Sequence, residues 1–181
     1  MKKTLKILFG VCTTILIVGY LIPEPKAMPC GKPSSYDKNS FWTWPWTRGK
    51  AGCPHTGVDI FGKRGTPVVS QTGGLVIYAQ MMKGNAGNSV FVIGPKWRMH
   101  QYLHLDSITT KSWRFVKPGE QIGLLGDTGN AKGTPPHVHY NIITPIPYVW
   151  KLWAEEGVCN PPKHFNWRLM FWLDPTDHLP H

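Results

Sequence analysis

Between residues 66 and 143 short apolar runs alternate with turn signals, and this punctuation most constrains the fold. The runs "TPVVSQ" (66–71), "LVIYAQM" (75–81), "SVFVIG" (89–94), "RMHQYLHL" (98–105) and "HVHYNII" (137–143) have the length and the Val, Ile, Tyr and Phe content of strands. Between them lie "TGG", "KGNAGN" and "DTGNAKGTPP", while "KPGEQIGLLG" (117–126) holds a turn and a short strand. No long segment with helical period occurs before residue 150. The 19 glycines and 17 prolines repeat the point at the level of the chain: many turns, short strands, few helices. The expected domain is mostly β and begins near Arg48. "YVWKLWAEEG" (148–157) is the one plausible helix, ended by Gly157. The aromatic-rich "FNWRLMFWLDP" (165–175) is expected to cover an edge of the core.

The first residues read as an address. "MKKTLK" is cationic, and residues 7–22, "ILFGVCTTILIVGYLI", carry no charge. Such a segment is a signal anchor, or a signal peptide if it is cleaved. The cationic flank would stay in the cytoplasm and the remainder would be exported. Residues 23–47 then form a linker, 48–147 the domain, and 148–181 an extension packed on it. Export allows disulfides. Three cysteines lie beyond the apolar segment, so at most one pair forms among Cys30, Cys53 and Cys159, with one thiol left over. The net charge is +10, and Lys2, Lys3 and Lys6 supply three of it, leaving +7. A basic surface favours an anionic partner. No zinc finger, basic helix or other reader of nucleic acid is present, so nucleic acid is not the expected one.

Two histidines one residue apart carry the chemistry. Residues i and i+2 of a strand point to one face, so His137 and His139 share a groove. Neutral imidazole is a standard zinc ligand. "HTGVD" (55–59) adds His55 and Asp59 at an even spacing, and "YLHL" adds His104. Three sources of imidazole and a carboxylate suit a zinc site with one open position and further histidines beside it. No H-E-x-x-H occurs, so the base that many zinc peptidases take from a glutamate must come from elsewhere.

"HTGVDIFGKRGTPVVS", "YLHL", "KPGEQIGLLGDTG" and "GTPPHVHY" resemble, in order, the motifs of the lysostaphin-like (LytM-type) zinc metallopeptidases, which cut peptide cross-links in bacterial peptidoglycan. The resemblance covers about residues 48–145. It implies a mostly antiparallel β fold with the site in a groove across the sheet. It implies His55, Asp59 and His139 as zinc ligands, with His104 and His137 as the non-ligand histidines. His104 would orient or deprotonate water, and His137 would serve the oxyanion or the same proton. Asn88, Tyr102 and Thr134 are candidate substrate contacts. Two departures stand out: "WTRGKAGCP" replaces the usual glycine-rich approach to the first histidine, and Asn141 stands where an acid is often found.

The expectation is therefore a zinc endopeptidase of the cell envelope, facing a periplasm if anchored and secreted if cleaved. The competing reading is a non-catalytic LytM-type domain that activates a wall amidase. Filled positions at all five histidine and aspartate sites favour catalysis. His100 is expected to be structural or at the surface. His164, His178 and His181 are expected to be solvated in the tail.

Overall fold

The computed structural model describes residues 2–32, 35–36, 38, 40–41, 55–152 and 170–180. Helix α1 (Lys2–Leu21) carries the uncharged run. Among the described residues the domain has ten strands: β1 (Val58–Phe61), β2 (Pro67–Val69), β3 (Gly74–Met82), β4 (Gly87–Ile93), β5 (Met99–Leu105), β6 (Ser107–Ile108), β7 (Phe115–Val116), β8 (Gln121–Leu124), β9 (His137–Ile143) and β10 (Trp172–Leu173).

The larger sheet runs β1–β9–β5–β4–β3–β7, with β10 sharing the outer edge of β9, and every pairing is antiparallel. A smaller antiparallel sheet, β2–β8–β6, lies apart from it. Alternation along the strands places Val58, Ile60, Val90, Val92, Val138, Tyr140 and Ile142 in the core, joined by Val68 and Ile122 of the smaller sheet. The residues between them, among them Asp59, His137 and His139, face the other way. That is how a two-residue period sets a polar site directly behind an apolar core.

The segment after α1 packs on this core. Pro29 accepts the amide of Val69 at 2.7 Å, Tyr36 bridges to Ile60, and Cys30 and Tyr36 join the core cluster. Glu24 is sealed beneath Arg98, His100 and His178. His178 is therefore not a solvated tail residue. Its imidazole is 20% exposed, with Nδ1 3.5 Å from the Glu24 carboxylate. Sequence spacing carried no hint of a partner so far upstream.

Cys30 is a buried free thiol, so the pairings that use it are not formed. Burial pushes its pKa up to about 12. Cys53, Cys159, His164, His181, the tryptophans at 42–46 and the approach "WTRGKAGCP" up to Pro54 lie outside the described residues. At the expected helix 148–157, residues Val149–Leu152 form a single 3-10 turn, and 153–157 are outside the described residues.

Candidate active site

β9 supplies two of the histidines and β1 the carboxylate. The β1–β9 register sets Asp59 directly opposite His139, and β5 brings Leu103 to its other side. His55, four residues before Asp59, folds back over it. His55 Nε2 lies 3.1 Å from Asp59 Oδ1 and 3.1 Å from His139 Nδ1, and His139 Nδ1 lies 2.6 Å from the same oxygen. All three side chains are mostly buried.

The hydrogen-bond partners decide the tautomers. A carbonyl oxygen only accepts, so each nitrogen facing one carries a proton. His55 Nδ1 donates to Ser40 O at 2.9 Å, which leaves Nε2 of the neutral ring as a bare lone pair. That lone pair, a carboxylate oxygen and His139 Nδ1 converge, with at most one proton to share among them. Atoms of this kind turned on one another are reconciled by a shared proton or by a cation seated among them. Nitrogen and oxygen donors in this number are what a zinc ion takes. His55, Asp59 and His139 also form the group of metal-type donors found among the described residues. The residues present thus fit zinc.

Electrostatics follow the same logic. Burial works against an ionised Asp59, but the contacts from His139 and His55 outweigh it and hold the carboxyl far below the usual range. Burial also opposes charging of His55, yet Asp59 raises it, whereas burial prevails at His139 and lowers it. One carboxylate serves two rings, and one ring takes most of the benefit.

His104 reaches the cluster by a backbone device. Strict alternation would place it with His100 and Tyr102 on the core face. A bulge interrupts the β4–β5 register between Asn88 and Val90, and His104 takes φ of 65°. This left-handed conformation is uncommon for a residue with a Cβ, and it re-aims the ring outward. The His104 ring then lies 5.2 Å from that of His137 and 5.9 Å from that of His139. The loop around Thr128 holds it there. Thr128 O accepts His104 Nδ1 at 2.9 Å, Thr128 Oγ1 donates to Leu105 O at 2.8 Å, and the same hydroxyl accepts the amide of Asn88. Burial, then the charges of His139 and His137, bring the His104 pKa down to about 4, so the ring is neutral near pH 7.

His137 Nδ1 donates to Pro135 O at 2.8 Å, and its Nε2 lies 3.9 Å from Asp59 Oδ1. Both spare histidines therefore spend Nδ1 on a carbonyl, and the neutral His104 keeps an unprotonated Nε2. Geometry of this kind can take a proton from water and return it elsewhere.

Among the candidate substrate contacts, Thr134 is exposed on the loop before His137, with its hydroxyl on Ala131 O. Asn88 lies beside the His104 bulge with its side-chain amide on Asp106 O. Tyr102 is not brought to the site. It is fully buried on the core face, and its hydroxyl accepts the amide of Gln71 at 2.8 Å. Thr128 and Ser40, which hold His104 and His55 through carbonyl oxygens, were not singled out from sequence. A backbone acceptor leaves no residue-type signal.

Comparison with known proteins follows the same outline. The model of "Peptidase family M23" matches residues 53–148. The peptidoglycan DD-endopeptidase ShyA of Vibrio cholerae is 38% identical over 94 residues, which are 52% of this chain and 21% of that protein. The crystallised catalytic domain of lysostaphin from Staphylococcus simulans superposes with a TM-score of 0.57 at 25% identity, covering 76% of this chain and 86% of that one. A zinc-containing peptidase from Vibrio cholerae superposes with a TM-score of 0.54 at 29% identity, covering 66% of this chain and 36% of that one. The chain spans about a fifth to a third of the length of the curated relatives it matches.

Proposed function

Because the chain belongs to peptidase family M23, we propose that it is a zinc-dependent endopeptidase that hydrolyses peptide cross-links of bacterial peptidoglycan. The observation that carries this reading is the convergence of His55 Nε2, Asp59 Oδ1 and His139 Nδ1, flanked by two histidines with free Nε2 atoms. In it, His55, Asp59 and His139 hold the metal. Zinc, when bound, polarises the scissile carbonyl and makes water acidic enough to attack near neutral pH.

The remaining work falls to the protein's own groups. His104 is neutral, is locked by Thr128 O and presents a lone pair, so it orients water and accepts its proton. His137, with Nδ1 given to Pro135 O, offers Nε2 as an acceptor in its neutral form. Once protonated it becomes a donor, suited to the oxyanion or to the leaving amine. Asp59 stays ionised and balances the charge of the cluster. Thr134 and Asn88 lie along the approach to these groups and contact substrate.

The layout proposed for the chain is an anchor or signal over 1–22, the peptidase domain over 48–147 and an extension over 148–181. α1 is long and apolar enough to cross a membrane by length and composition. In this reading it holds the domain at the outer face of the inner membrane, toward the periplasm, or is removed and the protein secreted.

The test uses the full chain in detergent. Purified cross-linked peptidoglycan is digested with and without a zinc chelator, and the products are read by mass spectrometry. The expected result is chelator-sensitive loss of dimeric muropeptides with new peptide termini, and one zinc per chain that His139→Ala loses. Zinc retained with every wall preparation left intact would overturn catalysis and support an amidase activator instead.

A further inference from the structure

α1 ends at Leu21, and three residues later Glu24 is already sealed into the domain. Its carboxylate is 7% exposed, against Arg98 at 7% and His100 at 0%. Arg98 adjoins Trp97, which closes the turn between β4 and β5. Trp97 donates its indole N–H to Leu16 O at 2.9 Å and lies over Gly19, where even a methyl group would come within 2.3 Å of the ring. The domain therefore grips α1 at two points, within five residues of the helix's outer end.

A 20-residue helix is about 30 Å long, which matches the hydrocarbon core of a bilayer. Resting on the reading that α1 spans a membrane, Trp97 lies about 3–8 Å inside the helix's outer end. That is just beneath the lipid headgroups, in the interfacial zone where tryptophan is enriched. Lys96 is next to it.

The same quarter of the sheet presents more of this chemistry. Phe115 pairs with Leu75, and Leu75 pairs with Ile93, two residues before the turn that carries Trp97. Trp113 is 77% exposed and Phe115 75%. Lys111 and Lys117 flank them and are exposed, while Arg114 between them is paired with Glu120. Aromatic rings with interleaved lysines are what an anionic lipid surface binds.

We propose that Trp97, Trp113 and Phe115, with Lys96, Lys111 and Lys117, form an edge that rests on anionic phospholipid headgroups of the bilayer that α1 crosses. The Glu24 contact locks this edge in place. The active site is then held at one height and one tilt above the membrane, not carried on a free tether.

The experiment reconstitutes the full chain in phosphatidylcholine vesicles containing phosphatidylglycerol, some of it brominated near the headgroup end of the acyl chain. α1 contains no tryptophan, so quenching of indole fluorescence reports the domain. Trp97→Phe and Trp113→Phe are each expected to remove about half of the quenched amplitude, and Trp113 quenching should weaken in vesicles of neutral lipid. Trp113→Phe changes an exposed side chain, so folding is not at issue for that variant. Unchanged quenching in both variants, on chains that stay with the vesicles through a carbonate wash, would overturn the proposal. Unchanged quenching with weakened binding of Trp113→Phe to purified peptidoglycan would assign the edge to the wall polymer instead. Chains washed off the vesicles would mark failure of the spanning reading itself.

Discussion

His104 is the residue at which folding and the proposed chemistry meet. Its backbone is left-handed, its Nδ1 is bound to Thr128 O, and its ring lies against those of His137 and His139. If it works as the base, removing the imidazole removes proton transfer but no metal ligand. His104→Ala should retain one zinc by elemental analysis and lose about 10²–10⁴-fold in the rate of cross-link hydrolysis. His139→Ala should lose both. A variant at position 104 that lost zinc as well would make the residue part of the metal cradle and not a proton carrier. Sequence alone placed His104 among the candidates through "YLHL" but gave its parity as that of His100, a core residue. The bulge that redirects it comes from packing of the Asn85–Gly87 turn against Thr128 and Gly129, which no local pattern announces.

At the level of elements, the strand segments were largely legible. The run 137–143 is β9, 98–105 contains β5, and 75–81 lies within β3. Period-two alternation is strong where one face is buried, so these strands are visible in one dimension. β6, β7 and β10, two residues each, are not, because their existence depends on a partner strand. The loop that supports His104 is similarly tertiary. Gly129 has φ of 71°, and a Cβ there would stand 2.3 Å from Asn85 O. Gly129→Ala must push the two loops apart. The expected cost is about 2 kcal/mol or more in urea unfolding, with hydrolysis falling further than zinc content. Equal loss of zinc and activity would mean that the loop supports the fold as a whole and not His104 in particular.

The whole molecule carries a second buried polar cluster, remote in sequence from the first. Burial works against the charge of Glu24, but His100, Arg98 and His178 outweigh it and lower its pKa. Burial brings His178 down to about 4 and also lowers His100. For His178 the folded value lies below the unfolded one, so the unfolded chain binds the proton first, and stability falls as pH drops from about 6.5 to about 4. The lowered Glu24 extends the loss below its unfolded value of 4.5. The His178 share is on the order of 3 kcal/mol. Urea midpoints measured across that window should therefore decline with acid, and His178→Gln should flatten the decline between pH 6.5 and about 4.5. An unchanged slope would move the titration to the histidines of the metal cluster. None of this was legible beforehand, because Glu24 lies 74 residues from Arg98 along the chain. The segment that joins helix to domain is thus expected to share in setting acid tolerance with His104, whose pKa is lowered to the same value.

The left-handed backbone at His104 has one more consequence, for how the protein can change over time. A histidine held at φ of 65° costs about 1 kcal/mol relative to glycine, which is at ease there. Heat resistance and turnover therefore pull position 104 in opposite directions. A library selected only for survival at high temperature should drift toward glycine at this site and yield sturdy, idle proteins. A lineage that keeps histidine there is one in which the reaction is still being used.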